Sequence, residues 1–288
     1  MRQVRLNNGM DIPQIGFGAY KATDQGGYSV LAEAIRTGYR HLDTAEAYGN
    51  EEEVGQAVCE SGIPREAFFI TSKLNRNCLG YENAKKECEK SLQRLKTDYL
   101  DLYLMHWPRP DYGMDCCDDW ERLDIETWHA MEELVQEGKI RGIGVSNFLP
   151  HHMDNLLKEA SIVPCVNQLE LHPGYLQEEA VAYCREKGIA LSAYSPIGRA
   201  RLMKHPLLLE LAEKYNTSTA DFCLTFELQS GFIIIPKSTH PERLKANLNA
   251  GGYVIADEDM EAVRRMPQAG WSGQHPDREN TDPQTEYK

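Results

Sequence analysis

Tyr99-Leu100-Asp101-Leu102-Tyr103-Leu104-Met105-His106 reads as a buried strand that ends on a polar side chain, and the residues before it read as a helix. Over 82–95, Ala84, Cys88, Ser91, Leu92 and Leu95 fall on one helical face, with Lys and Glu opposite. The unit recurs in both directions. Short apolar runs at 14–18, 39–43, 68–72, 99–105, 140–145, 164–170, 190–194 and 232–235 alternate with helix-period stretches. Gly38, Gly62-Ile63-Pro64, Gly138, Gly188 and Gly231 punctuate them. Strands that alternate with helices predict a parallel sheet, and eight such units close a (β/α)8 TIM barrel with every helix outside. An open, doubly wound sheet is the competing layout.

Around this repeat the chain adds three features. Residues 3–11, with Asn7-Asn8-Gly9, predict an N-terminal β-hairpin plugging the barrel bottom. Extra helices are expected at 206–215 and 219–228, both before the last strand, and at 257–266. The tail 267–288 is rich in Pro, Gly, Gln and charge; a loop grading into disorder is expected there, with Trp271 able to anchor part of it. No linker divides the sequence, so 1–288 is expected to form a single domain.

Composition narrows the function. The net charge of −13 disfavours nucleic acid as a partner, although a few basic residues in one pocket suffice for a phosphate-bearing small molecule. No apolar stretch approaches a membrane span, and Met1-Arg2-Gln3-Val4-Arg5 lacks a signal-peptide core, so no membrane and a cytoplasmic location are expected. The cysteines at 59, 78, 88, 116, 117, 165, 184 and 223 form no C-x-x-C pair and predict reduced thiols rather than a metal site.

A barrel of this kind carries its active site at the C-terminal strand ends. That rule gathers Asp43, Tyr48 in the following loop, Lys73, His106, Ser146-Asn147, Gln168, Tyr194-Ser195 and Lys237-Ser238 at one mouth. Their chemistry suits carbonyl reduction. A cofactor must carry the hydride, since no side chain can. The alkoxide needs a proton; Tyr48 can give it if the Lys73 ammonium, held by Asp43, stabilises the phenolate. His106 can hydrogen-bond the carbonyl oxygen. Each residue alone has an ordinary structural reading; the joint placement is what argues for a site.

The chain resembles the aldo-keto reductases along nearly its whole length. The resemblance is carried by 42–51 (LDTAEAYGNE), Thr71-Ser72-Lys73-Leu74, Met105-His106-Trp107-Pro108, 144–148 (GVSNF), 167–173 (NQLELHP), Tyr194-Ser195-Pro196 and Ile235-Pro236-Lys237-Ser238. It implies a catalytic tetrad of Asp43, Tyr48, Lys73 and His106. It also implies that Ser146, Asn147 and Gln168 hold the nicotinamide carboxamide, with Tyr194 stacked on the ring and Ser195 beside it. The short tail and loops look like the compact bacterial branch that includes diketogluconate reductases; a monomer is the expectation for the family.

No G-x-G-x-x-G is present, so a Rossmann pyrophosphate loop is not indicated. Lys237, Ser238 and Arg243 surround the start of a helix expected at 241–249, a good phosphate site. The resemblance implies the adenosine 2′-phosphate there, hence NADPH (NADP+) over NADH, with Asn247 near the adenine. The sequence departs from the family at Ala246, where many relatives carry glutamate, at His240, and in a short loop, 197–205, where Arg199 and Arg201 could supply charge. Tyr20, Asn75 and Trp107 are candidate substrate-pocket walls, with the loop 109–123 and Trp271 as further candidates. Many relatives place an aromatic residue at Asn75, so its amide suggests a polar carbonyl substrate. Two rival readings remain: a metal-dependent hydrolase built on His41, Asp43, His106 and His172, and a non-catalytic NADPH-binding regulatory module on the same barrel.

Overall fold

The computed structural model describes residues 2–24, 27–114 and 116–278. An antiparallel hairpin, β1 (Gln3–Arg5) and β2 (Asp11–Pro13), precedes an eight-stranded parallel sheet. The sheet runs β3 (Phe17–Gly18), β4 (His41–Asp43), β5 (Phe69–Leu74), β6 (Leu102–Met105), β7 (Ile143–Ser146), β8 (Val166–Glu170), β9 (Ala190–Tyr194) and β10 (Ile233–Ile235), in sequence order. The helices are α1 (Tyr28–Thr37), α2 (Glu51–Glu60), α3 (Tyr81–Leu95), α4 (Trp120–Gln136), α5 (Pro150–Leu157), α6 (Glu178–Glu186), α7 (Pro206–Lys214), α8 (Thr219–Gln229), α9 (Pro241–Leu248) and α10 (Asp257–Arg264).

The ends of the sheet meet. Ile15 bridges Ile234 in parallel, Gly16 N–H donates to the Ile234 carbonyl (2.9 Å), and Gly18 N–H donates to that of Pro236 (3.1 Å). This closure rules out the open sheet and fixes the (β/α)8 barrel. It needs a glycine at 16, where a Cβ would sit 2.6 Å from His41 Nδ1. The first strand is regular only at Phe17–Gly18, shorter than the expected 14–18, because 14–16 turns in from the hairpin and pairs through single bonds.

The apolar faces read from the sequence are the ones buried. Ala84, Cys88, Ser91, Leu92 and Leu95 of α3 all face inward against the barrel. A fully buried Leu, Ile or Phe contributes about 1.5–3 kcal/mol, so the shell of Leu31, Leu42, Ile70, Phe148 and Leu171 is a principal stabiliser. At the bottom, Leu6 and Ile12 of the hairpin pack with Leu102, Leu104, Val166 and Ile233, and Asn7 Nδ2 donates to the Pro164 carbonyl (2.9 Å). The hairpin therefore plugs one end, leaving the strand C-termini as the open mouth. The extra helices stand where the periodicity put them, with α7, α8 and α10 sharing a second apolar cluster.

The tail departs from its expected looseness. Residues 267–278 contain no helix or strand, yet Ala269, Trp271 and Ser272 are buried. The disorder expected further along falls at 279–288, outside the described residues.

Candidate active site

Asp43 ends β4 and Lys73 lies in β5, their side chains 4% and 0% exposed. A buried charge is tolerated only when paired, and this one is: Lys73 Nζ donates to Asp43 Oδ1 (2.6 Å) and to the Thr44 carbonyl (2.8 Å). Gln168 Nε2 donates to the other carboxylate oxygen, Asp43 Oδ2 (2.8 Å). The ammonium also faces Tyr48, its Nζ 5.1 Å from the ring centroid. Tyr48 ends a single 3-10 turn, Glu46–Tyr48, whose loop is tied down from both sides. Thr44 Oγ1 donates to Asn50 Oδ1 (2.6 Å), Asn50 Nδ2 to the Ala19 carbonyl (2.8 Å), and Asn75 N–H to Glu46 Oε2 (3.1 Å). His106 follows β6, its ring edge-on to Tyr48 with centroids 5.6 Å apart.

Electrostatics separates the roles. Burial pushes the Tyr48 phenol up, the Lys73 ammonium pulls it back, and the net position lies above the ordinary tyrosine value. The sequence suggested an eased proton; the structure shows Lys73 offsetting part of a burial effect that keeps Tyr48 protonated at neutral pH, the state a donor requires. Burial also opposes charge on Lys73, but Asp43 and Tyr48 outweigh it and the ammonium stands above its usual value. Burial, then Lys73 and Arg76, hold His106 well below the histidine range. A neutral imidazole can donate a hydrogen bond but is no acid of useful strength.

A continuous hydrogen-bonded arc extends from this group round the mouth. Tyr194 Oη donates to Asn147 Oδ1 (2.9 Å), and Asn147 Nδ2 to the His106 carbonyl (3.0 Å) and Ser146 Oγ (3.1 Å). Ser146 Oγ donates to the Gln168 carbonyl (2.8 Å). Asn147 takes a left-handed backbone (φ 63°) to turn its amide back this way. Of the expected carboxamide-binding trio, Gln168 keeps its Oε1 and one N–H without a protein partner among the described residues, whereas the amide hydrogens of Asn147 are committed.

The expected phosphate region is organised differently. Ser238 is 7% exposed and its Oγ accepts from His240 N–H (3.1 Å), shaping the turn into α9. Pro241 opens the helix and no side chain caps it; His240 occupies the cap position without a capping bond. Lys237 and Arg243 are exposed and enter no ion pair among the described residues. Ala246 is exposed and Asn247 half-buried on the same helix. Free helix-start amides beside two uncommitted cations fit a phosphate dianion. Ser195 (φ 52°) lies across the mouth, where Arg199 Nε approaches its Oγ (3.4 Å). Arg199 also donates to Gln274, and Arg201 to the Gly270 and Trp271 carbonyls, so these arginines hold the tail rather than stand free.

Among the pocket candidates, Tyr20 is 44% exposed and lies 5.0 Å from the Tyr48 ring, and Trp107 is buried beside His106. Asn75 is partly turned away from the expected polar wall: its Oδ1 accepts from Asn77 N–H (3.0 Å) to cap the next turn. Trp271 packs 5.8 Å from Tyr175.

The residues of the hydrolase rival do not converge. His41 is buried low in the barrel, with Nε2 3.1 Å from Thr71 Oγ1, and His172 is bonded to Glu170 and the Pro173 carbonyl. Among the described residues one other cluster has metal-ligating types: His151, His152 and Asp277. His152 Nδ1 accepts from Leu149 N–H (3.1 Å), so its proton sits on Nε2, which points at Asp277 Oδ1 (2.9 Å). With its proton there, Nε2 faces the carboxylate as an N–H and has no lone pair to offer a metal.

Several contributors escaped the sequence reading. Glu51 is a buried carboxylate that accepts from Ser72 (2.5 Å), Ser91 (3.2 Å) and Arg94 (2.7 Å), anchoring α2 behind Lys73. Glu170 ends β8 and accepts from Ser272 N–H (2.9 Å) and Ser272 Oγ (2.5 Å), fastening the tail to the barrel. A polar residue at a strand end was the available signal for Glu170; nothing local pointed to Ser272.

Known proteins resemble the chain along nearly its whole length. Residues 14–267 match the model of the Aldo/keto reductase family. The chain is 43% identical over 276 residues to "Glyoxal reductase" of Bacillus subtilis (strain 168), covering 95% of this chain and 96% of that one. It is 38% identical over 282 residues to "Glycerol 2-dehydrogenase (NADP(+))" of Saccharomyces cerevisiae, covering 91% and 89%. Among solved structures, an aldo/keto reductase from Brucella melitensis superposes with a TM-score of 0.84 at 40% identity, covering 91% of this chain and 98% of that one. A Bombyx mori aldo-keto reductase in complex with NADP gives 0.82 at 33% identity, covering 92% of each.

Proposed function

This chain belongs to the aldo/keto reductase family and reduces an aldehyde or ketone to an alcohol with NADPH; we propose that Tyr48 delivers the proton in that reaction. The observation that carries the assignment is the Tyr48–Lys73–Asp43 chain beside a neutral His106. When bound, NADPH supplies the hydride. His106 and Tyr48 converge on the carbonyl oxygen of the substrate, His106 orienting it by a hydrogen bond and Tyr48 donating one that becomes the proton transfer. As the alkoxide takes that proton, the Lys73 ammonium stabilises the phenolate left behind. Asp43 keeps the ammonium in place, and Gln168 keeps the carboxylate from turning.

On the cofactor side, Gln168 with Ser146 and Asn147 holds the carboxamide, Tyr194 offers its ring to the nicotinamide and Ser195 flanks it. Lys237, Ser238, Arg243 and the start of α9 hold the 2′-phosphate, and Asn247 reaches toward the adenine. Tyr20 and Trp107 line the substrate side, with Asn75 beside them turned into its cap. We take the whole chain as one domain, working as a cytoplasmic monomer. No helix among the described residues is long and apolar enough to cross a membrane. The regulatory-module alternative finds no support among relatives named as reductases and dehydrogenases.

The test is NADPH oxidation by the purified chain with glyoxal, other α-dicarbonyls, aldehydes, keto-sugars and ketosteroids, each repeated with NADH. Turnover of at least one carbonyl, faster with NADPH, is expected. NADPH binding without turnover of any of them would overturn the reading.

A further inference from the structure

Arg76 follows directly on Asn75 at the end of β5, and its guanidinium faces the start of the pocket loop. Its Cζ lies over the Trp107 ring, 5.0 Å from the centroid. Nε donates to the Arg109 carbonyl (2.9 Å), Nη2 to the Pro110 carbonyl (3.1 Å), and Nη1 pairs with Asp111 Oδ1 (3.2 Å). One side chain thus grips three consecutive loop residues while covering the indole that follows His106. The side chain is 13% exposed, and its Asp111 partner 54%.

Three physical consequences follow. A planar fork satisfied at two carbonyls is the geometry in which arginine is not replaceable by lysine. An indole face stacked under a guanidinium is not free to stack on an aromatic substrate. A fixed cation this close to His106 adds to Lys73 in disfavouring a second positive charge there. Lys73 and Arg76 are the charged groups acting on the imidazole, and the Tyr48 ring is in edge contact with it.

Resting on the reductase reading above, we infer that Arg76 is a specificity-determining and positioning residue: it covers Trp107 and pins the loop after His106, restricting the site to short, hydrophilic carbonyl compounds over aromatic aldehydes. Asn75, its amide folded into a turn cap, leaves this wall to Arg76.

The test compares wild type, Arg76→Ala and Arg76→Lys, each with NADPH and with glyoxal or benzaldehyde. In Arg76→Ala the ratio of kcat/KM for benzaldehyde to that for glyoxal rises by about tenfold or more, the scale of an altered pocket contact. The acid limb of its pH profile moves to higher pH, because His106 protonates more readily without the cation. Arg76→Lys keeps the acid limb near wild type but shifts the substrate ratio, which separates charge from clamp. A ratio within twofold of wild type together with an unmoved acid limb in Arg76→Ala overturns the inference. Should Arg76→Ala fail to bind NADPH, Arg76→Gln, which keeps a planar amide but no charge, is judged by the same two readouts, with a comparable move of the acid limb and a smaller change in substrate ratio. A wild type that reduces other carbonyls of the panel above but neither of these two overturns the inference alone, whereas turnover of none of the panel defeats the reductase reading itself, which distinguishes the two failures.

Discussion

The ends of β4–β6 and the turn after β10 both gather charged side chains at the barrel mouth, yet they hold them in opposite ways. Beside Tyr48, the central pair is buried and paired: Lys73 is bonded to Asp43 and Thr44, and Asp43 also to Gln168. After β10, Lys237 and Arg243 stand exposed and unpaired among the described residues. The first arrangement is preorganised, so its partners are fixed by folding and its disruption costs stability as well as activity. The second puts little into folding; its cations are uncommitted and, in the function proposed above, contribute through binding.

The contrast breaks most readily at Lys73. Lys73→Met leaves Asp43 buried without its ammonium, and removal of one partner from such a pair costs about 3–5 kcal/mol. Urea unfolding at neutral pH should show a loss on that scale, alongside collapsed turnover; a loss below about 1 kcal/mol would mean that the pair is not structural. Arg243→Ala should do the reverse. NADPH affinity falls about tenfold or more while NADH affinity changes less than twofold, and stability stays within about 0.5 kcal/mol of wild type. Titration by fluorescence with both cofactors measures this, and equal losses for the two would remove the 2′-phosphate assignment.

The smallest effect is expected at the tail. Asp277, held by His152 (2.9 Å) and His151 (3.1 Å), loses some acidity to burial, but these histidines outweigh that and bring its carboxyl to about 2. A depressed carboxylate adds stability that is present above about pH 4, its unfolded range, and is lost as pH falls toward about 2. Asp277→Asn should flatten that part of the acid-unfolding profile and cost about 1 kcal/mol or less at neutral pH, the range of a partly exposed pair. An unchanged acid profile would show that the latch contributes nothing.

How much of this was legible in the sequence depended on range. Asp43, Lys73 and His106 each end an apolar run, so a local pattern plus the barrel rule placed them together before any coordinate was known. The hairpin plug and the helices before and after β10 were legible for the same reason. Boundaries were less so: β6 begins at Leu102 rather than at 99, because Leu100 makes only an isolated bridge to Ile140. The tail was the main surprise. Its composition is that of a loop, but Ser272 is fixed by Glu170 across 102 residues and Asp277 by a pair of histidines on α5, and no local signal encodes such partners. The direction of the Tyr48 shift was likewise out of reach, since it depends on how much water burial removes.

The central claim rests on Tyr48, and single-turnover reduction by Tyr48→Phe at saturating NADPH tests it most directly. Its rate should lie about 10²–10⁴-fold below wild type, the usual contribution of a positioned acid, with NADPH affinity within about twofold. A near-wild-type rate in that variant would contradict it.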